Sequence, residues 1–292
     1  MTGEEPMSEA KVAETRAEVP TSSRAPFDLR DDLAARVAAL GLRANVDQLR
    51  DEGYTAVRDV ATPAFTARLR ETCQRLAQET PGGARGYAAA MLLGRDPIIE
   101  EVVLNPKIQA LVEVMCGRGA MLSQLVASIR PKGAAELRLH ADQNWFPAPF
   151  PEHNQLFTMC WVMDEFTEAG GATKVIPRTH VHRRHPSRDE IAEQKGAIPI
   201  TCPANSLVCW DGSVWHGNYP RTIDGERVVL HITFGRLALR PVEDYSHLDE
   251  AWLVGKPAAL ATMLGRDDFL GKSGPGGPDY FKIPKTFDWA KN

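Results

Sequence analysis

Apolar residues recur at two different periods along this chain, and the change of period divides it. Between Leu29 and Leu40, the positions Leu33, Val37 and Leu40 fall on one helical face, with Gly41 as a stop. Asn45 to Gly53 predicts a second short helix, after which Tyr54, Ala56 and Val57 open an extended segment. Thr62 and Pro63 form a helix start, N-cap and first turn. Phe65, Leu69, Cys73 and Leu76 carry that helix to about Thr80, where Pro81-Gly82-Gly83 breaks it. The stretch from Tyr87 to Leu93 runs on into two more helical segments, Pro97 to Leu104 and Pro106 to Met115. From Gln124 onward the pattern is that of strands: Gln124 to Arg130, Glu136 to His140, Leu156 to Met163, Ala172 to Ile176 and Ser206 to Trp210. The long apolar run Arg227 to Leu239 is a strand pair or one bent strand. Arg183 to Gln194 alternates charges like a solvated helix or lid, and a last helix is expected over Ala251 to Leu264. The predicted architecture is mainly β with flanking helices.

With 292 residues and 43% apolar side chains, one large domain with a sizeable core is the expectation. No repeat or low-complexity linker separates helices from strands, so residues 25–292 are assigned to that domain, its β core at about 122–240. Residues 1–24 lack large apolar side chains and are expected to be a disordered tail. They have neither the apolar stretch of a secretory signal nor the acid-poor character of a transit peptide. At the other end, Lys272 to Pro278 reads as a Gly/Pro turn region, with Phe281, Phe287 and Trp289 available to tie the segment down.

Charge and cysteines exclude partners more than they suggest them. Lys plus Arg number 34 against 38 Asp plus Glu, a net charge of -4, which gives no reason to expect nucleic acid. No apolar run reaches the length of a membrane span. The five cysteines, at positions 73, 116, 160, 202 and 209, are odd in number and form no CxxC pair, so a reducing, cytoplasmic setting is expected. Phosphate-binding glycine loops, zincin HExxH and the GxSxG nucleophile turn are all missing.

The candidate chemistry lies in Leu137 to Trp145, LRLHADQNW, where His140 and Asp142 stand two residues apart on a predicted strand and so leave it on one face. His216, in WDGSVWHGNY, is the best third partner. Two imidazoles and one carboxylate form the facial triad of non-haem Fe(II) oxygenases, which leaves room for a chelating co-substrate and O2.

Four segments carry a likeness: HADQNWFP from His140, the strand around Trp161, GGATKVIPRTH at Gly170 to His180, and HGNYPRTIDGERVVL from His216. Over roughly Gln124 to Arg240 the chain resembles the phytanoyl-CoA dioxygenase-like family of Fe(II)/2-oxoglutarate oxygenases. The resemblance implies a double-stranded β-helix core, of the jelly-roll or cupin-like kind, with His140, Asp142 and His216 as iron ligands. It implies that an Arg eleven residues after the distal His binds the far carboxylate of 2-oxoglutarate, and Arg227 stands at that distance. It also implies Fe(II), 2-oxoglutarate and O2 as the reacting set, with ascorbate as reductant in vitro. The products would be succinate, CO2 and an oxidised, by default hydroxylated, C–H. Asn218 and Trp161 are candidates for lining the co-substrate pocket.

Other polar residues carry competing readings. Alternation puts Arg138 on the face of His140, where it reaches the substrate side or pairs with an acidic neighbour. The loop after Asp142, with Trp145, Phe146 and Phe150 among prolines, suits one wall of a cavity for a hydrophobic small molecule, or packs on its own core. His231 is expected inside the barrel without binding metal, and His180 in a structural loop. Arg183 and Arg184 are expected to be solvated, with a CoA phosphate as the minority reading. A cupin-like metalloenzyme that does not use 2-oxoglutarate would share the triad but not need Arg227; a non-catalytic β-barrel binding protein would need neither.

Overall fold

The computed structural model describes residues 29–79 and 87–267. The expected N-terminal tail, the Pro81-Gly82-Gly83 break and the C-terminal segment with Phe281, Phe287 and Trp289 lie outside the described residues.

The N-terminal helices start and stop where local chemistry dictates. Helix α1 (Asp31–Ala39) buries Leu33 and Val37. Helix α2 (Arg43–Glu52) ends at Gly53, whose φ of 81° is the left-handed cap that glycine adopts freely. Strand β1 (Tyr54–Val57) follows, then α3 (Pro63–Gln78), whose first turn is closed by Phe65 N–H donating to Thr62 Oγ1 at 3.2 Å. After β2 (Tyr87–Ala89), α4 (Pro97–Val103) and α5 (Pro106–Cys116) each pair an Asp or Asn N-cap with a first-turn proline.

The β core consists of β3 (Met121–Pro131), β4 (Leu137–His140), β5 (Leu156–Val162), β6 (Thr173–Ile176), β7 (Ile198–Pro199), β8 (Ser206–Asp211), β9 (Trp215–Asn218) and β10 (Glu226–Gly235). Six strands form one antiparallel sheet in the order β1-β8-β5-β10-β3-β2, and four form a second in the order β4-β9-β6-β7. From β3 to β10 the chain passes back and forth between the facing sheets, with only β6 and β7 consecutive in one sheet, which makes the core a double-stranded β-helix flanked by helices, as expected. The run from Arg227 proves to be a single strand with one irregularity in its pairing, between Thr233 and Phe234.

Strands β5 and β8 of the larger sheet are buried on both faces, which is why they read as continuous apolar runs. On β5, Phe157, Met159 and Trp161 pack under the helices with Met163 just beyond the strand, while Cys160 and Val162 pack with Val175 and Phe166 inside the barrel. Helix α6 (Arg188–Glu193), closed by a capping box of Ser187 and Glu190, occupies the predicted charged segment. The last predicted helix is interrupted: α7 (Glu250–Leu253) and α8 (Ala258–Met263) are separated by Gly255, at φ 76°, and by Pro257. A proline has no N–H to continue the first helix, so the chain turns and restarts. Among the described residues, no helix is long and apolar enough to cross a membrane.

A candidate metal centre and its cavity

Pairing of β4 with β9 brings the site together. His140 is opposite His216 in the register, and the two rings lie 4.3 Å apart. Asp142 stands just beyond the end of β4 yet turns back to the same point. Each imidazole is oriented by the backbone carbonyl two residues before it, His140 Nδ1 to Arg138 at 3.0 Å and His216 Nδ1 to Val214 at 3.1 Å. A carbonyl only accepts, so Nδ1 carries the proton and Nε2 keeps a free lone pair. Both Nε2 atoms lie 3.5 Å from Asp142 Oδ1, and the three donor atoms are all within 4.8 Å of one another. Donors held about 2.1 Å from one ion at right angles stand about 3 Å apart, so this set is close to the spacing that a first-row divalent ion demands.

Electrostatics favour the same use. Burial pushes the His216 pKa down to about 4, which removes the proton that would compete with a metal. Burial opposes charge on His140 too, but the Asp142 carboxylate beside it outweighs that and raises its pKa. Burial alone would raise the Asp142 carboxyl, but the His216 and His140 imidazoles and the Trp210 N–H together hold it well below the usual carboxylate range. Asp211, the other carboxylate near His216 in sequence, is turned away and accepts from Ser213 N–H at 2.7 Å.

A cavity of about 460 Å³ opens beside the three side chains. Its floor is built by the inward row of the larger sheet, including Gln124, Ser128, Thr158, His231 and Thr233, and its mouth is rimmed by Leu137, Trp145 and Val242. Asn218 lines it. Arg227 lies deeper: it is 1% exposed, Nη1 donates to the Gly171 carbonyl, and the guanidinium sits 5.1 Å above the Phe166 ring. Its Nε is buried without a hydrogen-bond partner among the described residues. Burial, followed by its cross-strand neighbour Arg130, lowers its pKa to about 10. A buried guanidinium with an unused donor, next to a second guanidinium, fits an anion such as a dicarboxylate.

Four sequence-based assignments need correction. Trp161 faces the helices and not the cavity: its Nε1 donates to Thr66 Oγ1 at 3.2 Å and its ring packs 5.4 Å from Phe65. Both faces of β5 are apolar, so alternation could not tell inside from outside. Phe150 is fully buried with Ala141 and Trp215, and Phe146 packs partly buried against them; these rings stabilise the loop and do not line the cavity. Arg138 is exposed, because the pairing of β4 with β9 is irregular between Leu137 and His140 and it is Leu137 that lines the cavity. Trp145, by contrast, lines the mouth and is 62% exposed.

The remaining histidines and arginines resolve simply. His231 lines the cavity with Cys160 Sγ 3.1 Å from its Nδ1. His180 is structural: its Nε2 lies 3.2 Å from the Arg50 carbonyl near the end of α2. Arg183 donates to the Phe150 carbonyl, and Arg184 pairs with Glu190 at 2.7 Å while covering the Trp215 ring. All five cysteines are free and buried. Thr158 and Trp210, which contact Asp142, were not singled out from sequence. For Thr158 the available signal was a lone hydroxyl inside an otherwise apolar strand.

Comparison with known proteins agrees with this geometry. The family model described as phytanoyl-CoA dioxygenase (PhyH) matches residues 49–229. An uncharacterised protein of Mycobacterium tuberculosis, Rv1501, is 26% identical over 76% of this chain and 87% of its own length. The dioxygenase trt7 of Aspergillus terreus is 22% identical over 68% of this chain and 75% of its own. Among solved structures, HygX from Streptomyces hygroscopicus with nickel and 2-oxoglutarate bound superposes with a TM-score of 0.58 at 14% identity, over 68% of this chain and 88% of that one. By its sequence, over well more than half its length, this chain belongs to the phytanoyl-CoA dioxygenase family of Fe(II)- and 2-oxoglutarate-dependent oxygenases.

Proposed function

We propose that this dioxygenase hydroxylates an unactivated C–H of a hydrophobic small molecule that is not CoA-linked, with His140, Asp142 and His216 as iron ligands and Arg227 as the anchor of the far carboxylate of 2-oxoglutarate. The bound iron, with 2-oxoglutarate and O2, supplies the oxidising power for C–H cleavage, and the co-substrate leaves as succinate and CO2. The protein supplies the rest. The Nε2 atoms of His140 and His216 and the charged Oδ1 of Asp142 would present three donors on one side, with a metal displacing any proton on His140, and would leave the other side to small ligands. Arg227, deep in the barrel, offers its Nε to a carboxylate. Asn218, on the same strand as His216, lines the cavity, whereas Arg227 lies behind its wall and does not line it.

The substrate assignment is carried by the cavity mouth. Leu137, Trp145 and Val242 are 37%, 62% and 52% exposed, an unusual concentration of large apolar side chains around one opening. An apolar molecule would cover them. Arg183 and Arg184, the cations that the sequence offered for a CoA phosphate, are engaged by the Phe150 carbonyl and by Glu190. The buried, unpaired thiols support a reducing, cytoplasmic setting, and ascorbate is the reductant to supply in vitro.

The test has two parts. Succinate release from 2-oxoglutarate with Fe(II) and ascorbate should be measurable in the wild type and absent in His140→Ala, Asp142→Ala and His216→Ala; full rates in any one variant remove that residue from the ligand set. Product mass spectrometry over a panel of apolar free acids, terpenoids, polyketides and their CoA esters should show oxygen insertion in free compounds, less so after Trp145→Ala. A product formed only from the CoA esters overturns the substrate assignment.

A further inference from the structure

The register of the larger sheet sets Thr233, Thr158 and Trp210 side by side on β10, β5 and β8. All three line the cavity. Across it, Asp142 Oδ2 accepts from the Thr158 hydroxyl at 2.8 Å and from the Trp210 indole N–H at 2.9 Å. The Thr158 hydroxyl has a single proton, and with Thr233 Oγ1 only 3.4 Å away it can accept from that second hydroxyl while giving its own proton to Asp142. Trp210 also lies against His216, ring centroids 4.7 Å apart at 41°. One oxygen of the carboxylate is therefore fully occupied by protein donors, and the other faces the two Nε2 atoms.

We propose that Thr158 and Trp210, with Thr233 behind Thr158, are positioning residues that hold Asp142 as a ligand through one oxygen only. This rests on the assignment of His140, Asp142 and His216 as the metal ligands. A free carboxylate can take a divalent ion through both oxygens, which would fill a position next to those needed by the co-substrate and O2. Here the two-oxygen mode requires breaking both donor contacts, which are charge-assisted and hence strong. The ligand strand belongs to the smaller sheet and the donors to the larger, so the contacts also lock the two sheets together at the metal. Hydrogen-bond partners of ligands typically change metal affinity about 10- to 100-fold when removed.

The experiment uses full-length protein stripped of metal and titrated with Co(II) alone, followed by its visible absorption, with thermal unfolding as the control for folding. Thr158→Val keeps the shape and removes the donor; Thr158→Ser restores it; Trp210→Phe keeps a ring against His216 and loses the N–H. The expected result is a Co(II) dissociation constant raised about 10-fold or more in Thr158→Val and in Trp210→Phe, with an altered band pattern, and near-wild-type values in Thr158→Ser. Wild-type affinity and spectrum in both Thr158→Val and Trp210→Phe, or a Thr158→Ser no better than Thr158→Val, overturns the proposal. If Trp210→Phe fails to fold, the Thr158 pair decides alone. Wild-type protein that takes up no Co(II), or as much as Asp142→Ala does, sinks the ligand assignment and this proposal with it; a wild type that binds beside unaffected variants sinks this proposal only.

Discussion

His216, which is buried, and His231, which is half-buried, share a single cavity, and loss of hydration there pushes the pKa of each down to about 4. Above the ordinary histidine value near 6.5 both are neutral in either state and cost the fold nothing. As pH falls from there toward 4 the unfolded chain takes up protons that the fold refuses, so stability declines over that window. His140 has a raised pKa, so its contribution runs the other way: full below about 6.5 and lost as pH rises through its folded value. His185 is lowered in the same direction by partial burial, and three imidazoles against one leave a net loss on acidification. Melting temperatures of metal-free protein should fall between pH 6.5 and 4.5, and His231→Gln should make that fall shallower; a flat profile would contradict the burial assigned to both rings. Arg227 gives a separate prediction. In its proposed anchoring role, Arg227 gives up a charge-assisted contact of about 1.5–3 kcal/mol in Arg227→Ala, so the apparent KM for 2-oxoglutarate should rise about 10- to 100-fold. Metal titration should be unchanged, and an unchanged KM would pass the anchoring role to Arg130.

At the scale of elements, the site depends on how closely β9 approaches β4. Gly217 follows His216, and a Cβ there would run into the Leu137 carbonyl and the backbone of Arg138. Backbone cannot give way as the end of a flexible side chain can. Gly217→Ala is therefore expected to push β4 off β9 and move His140 and Asp142 away from His216, lowering Co(II) affinity at least 10-fold. The same variant should still unfold cooperatively, since the larger sheet carries most of the core; wild-type metal affinity would show that the strands tolerate the extra carbon. Gly53 acts similarly at a distance: a side chain there would strike His180, which links the loop after β6 to the end of α2.

For the molecule as a whole, Glu243 is the tie between its parts. The carboxylate is 8% exposed and accepts from Met91 N–H at 3.0 Å, from Leu125 N–H at 2.9 Å and from the Tyr245 hydroxyl. It thus joins the segment after β2, the middle of β3 and the chain beyond β10. Burial, with Glu243 next to it, pushes the Tyr245 hydroxyl far above its ordinary range, so it remains a donor. Glu243→Ala leaves the buried Leu125 N–H and the part-buried Met91 N–H without partners, and a loss of about 2–5 kcal/mol is expected in denaturant unfolding. Because Glu243 does not touch the three candidate ligands, Co(II) affinity should hold at temperatures where the variant is folded. A loss below 0.5 kcal/mol would mean that the tie is incidental.

The extent to which this could be foreseen varies with the kind of interaction. Helix boundaries at Thr62, Gly53 and Pro106 were legible because capping and glycine conformation are local. The pairing of His140 with Asp142 was legible because two residues of spacing on an extended chain put them on one side. Arg227 was singled out by the family resemblance, which sets an arginine eleven residues after the distal histidine, and its burial is what the tertiary structure adds. The helix expected at Ala251 to Leu264 was missed in form because apolar spacing outweighed Gly255 and Pro257, and β9 was not predicted as a strand because four residues are too few for a period. Trp161, Phe150 and Arg138 were misplaced where a face had to be chosen: β5 is apolar on both sides, the aromatic loop has its own small core, and irregular pairing at Leu137 changes what faces the cavity. Sequence alone thus determined the elements with a clear apolar period or a local stop, and the same-side placement of His140 and Asp142, because these follow from neighbours along the chain. Only the tertiary structure decided that Thr158, Trp210 and Asp142 meet, since sheet register and the spacing of two facing sheets are set by contacts between residues far apart in sequence.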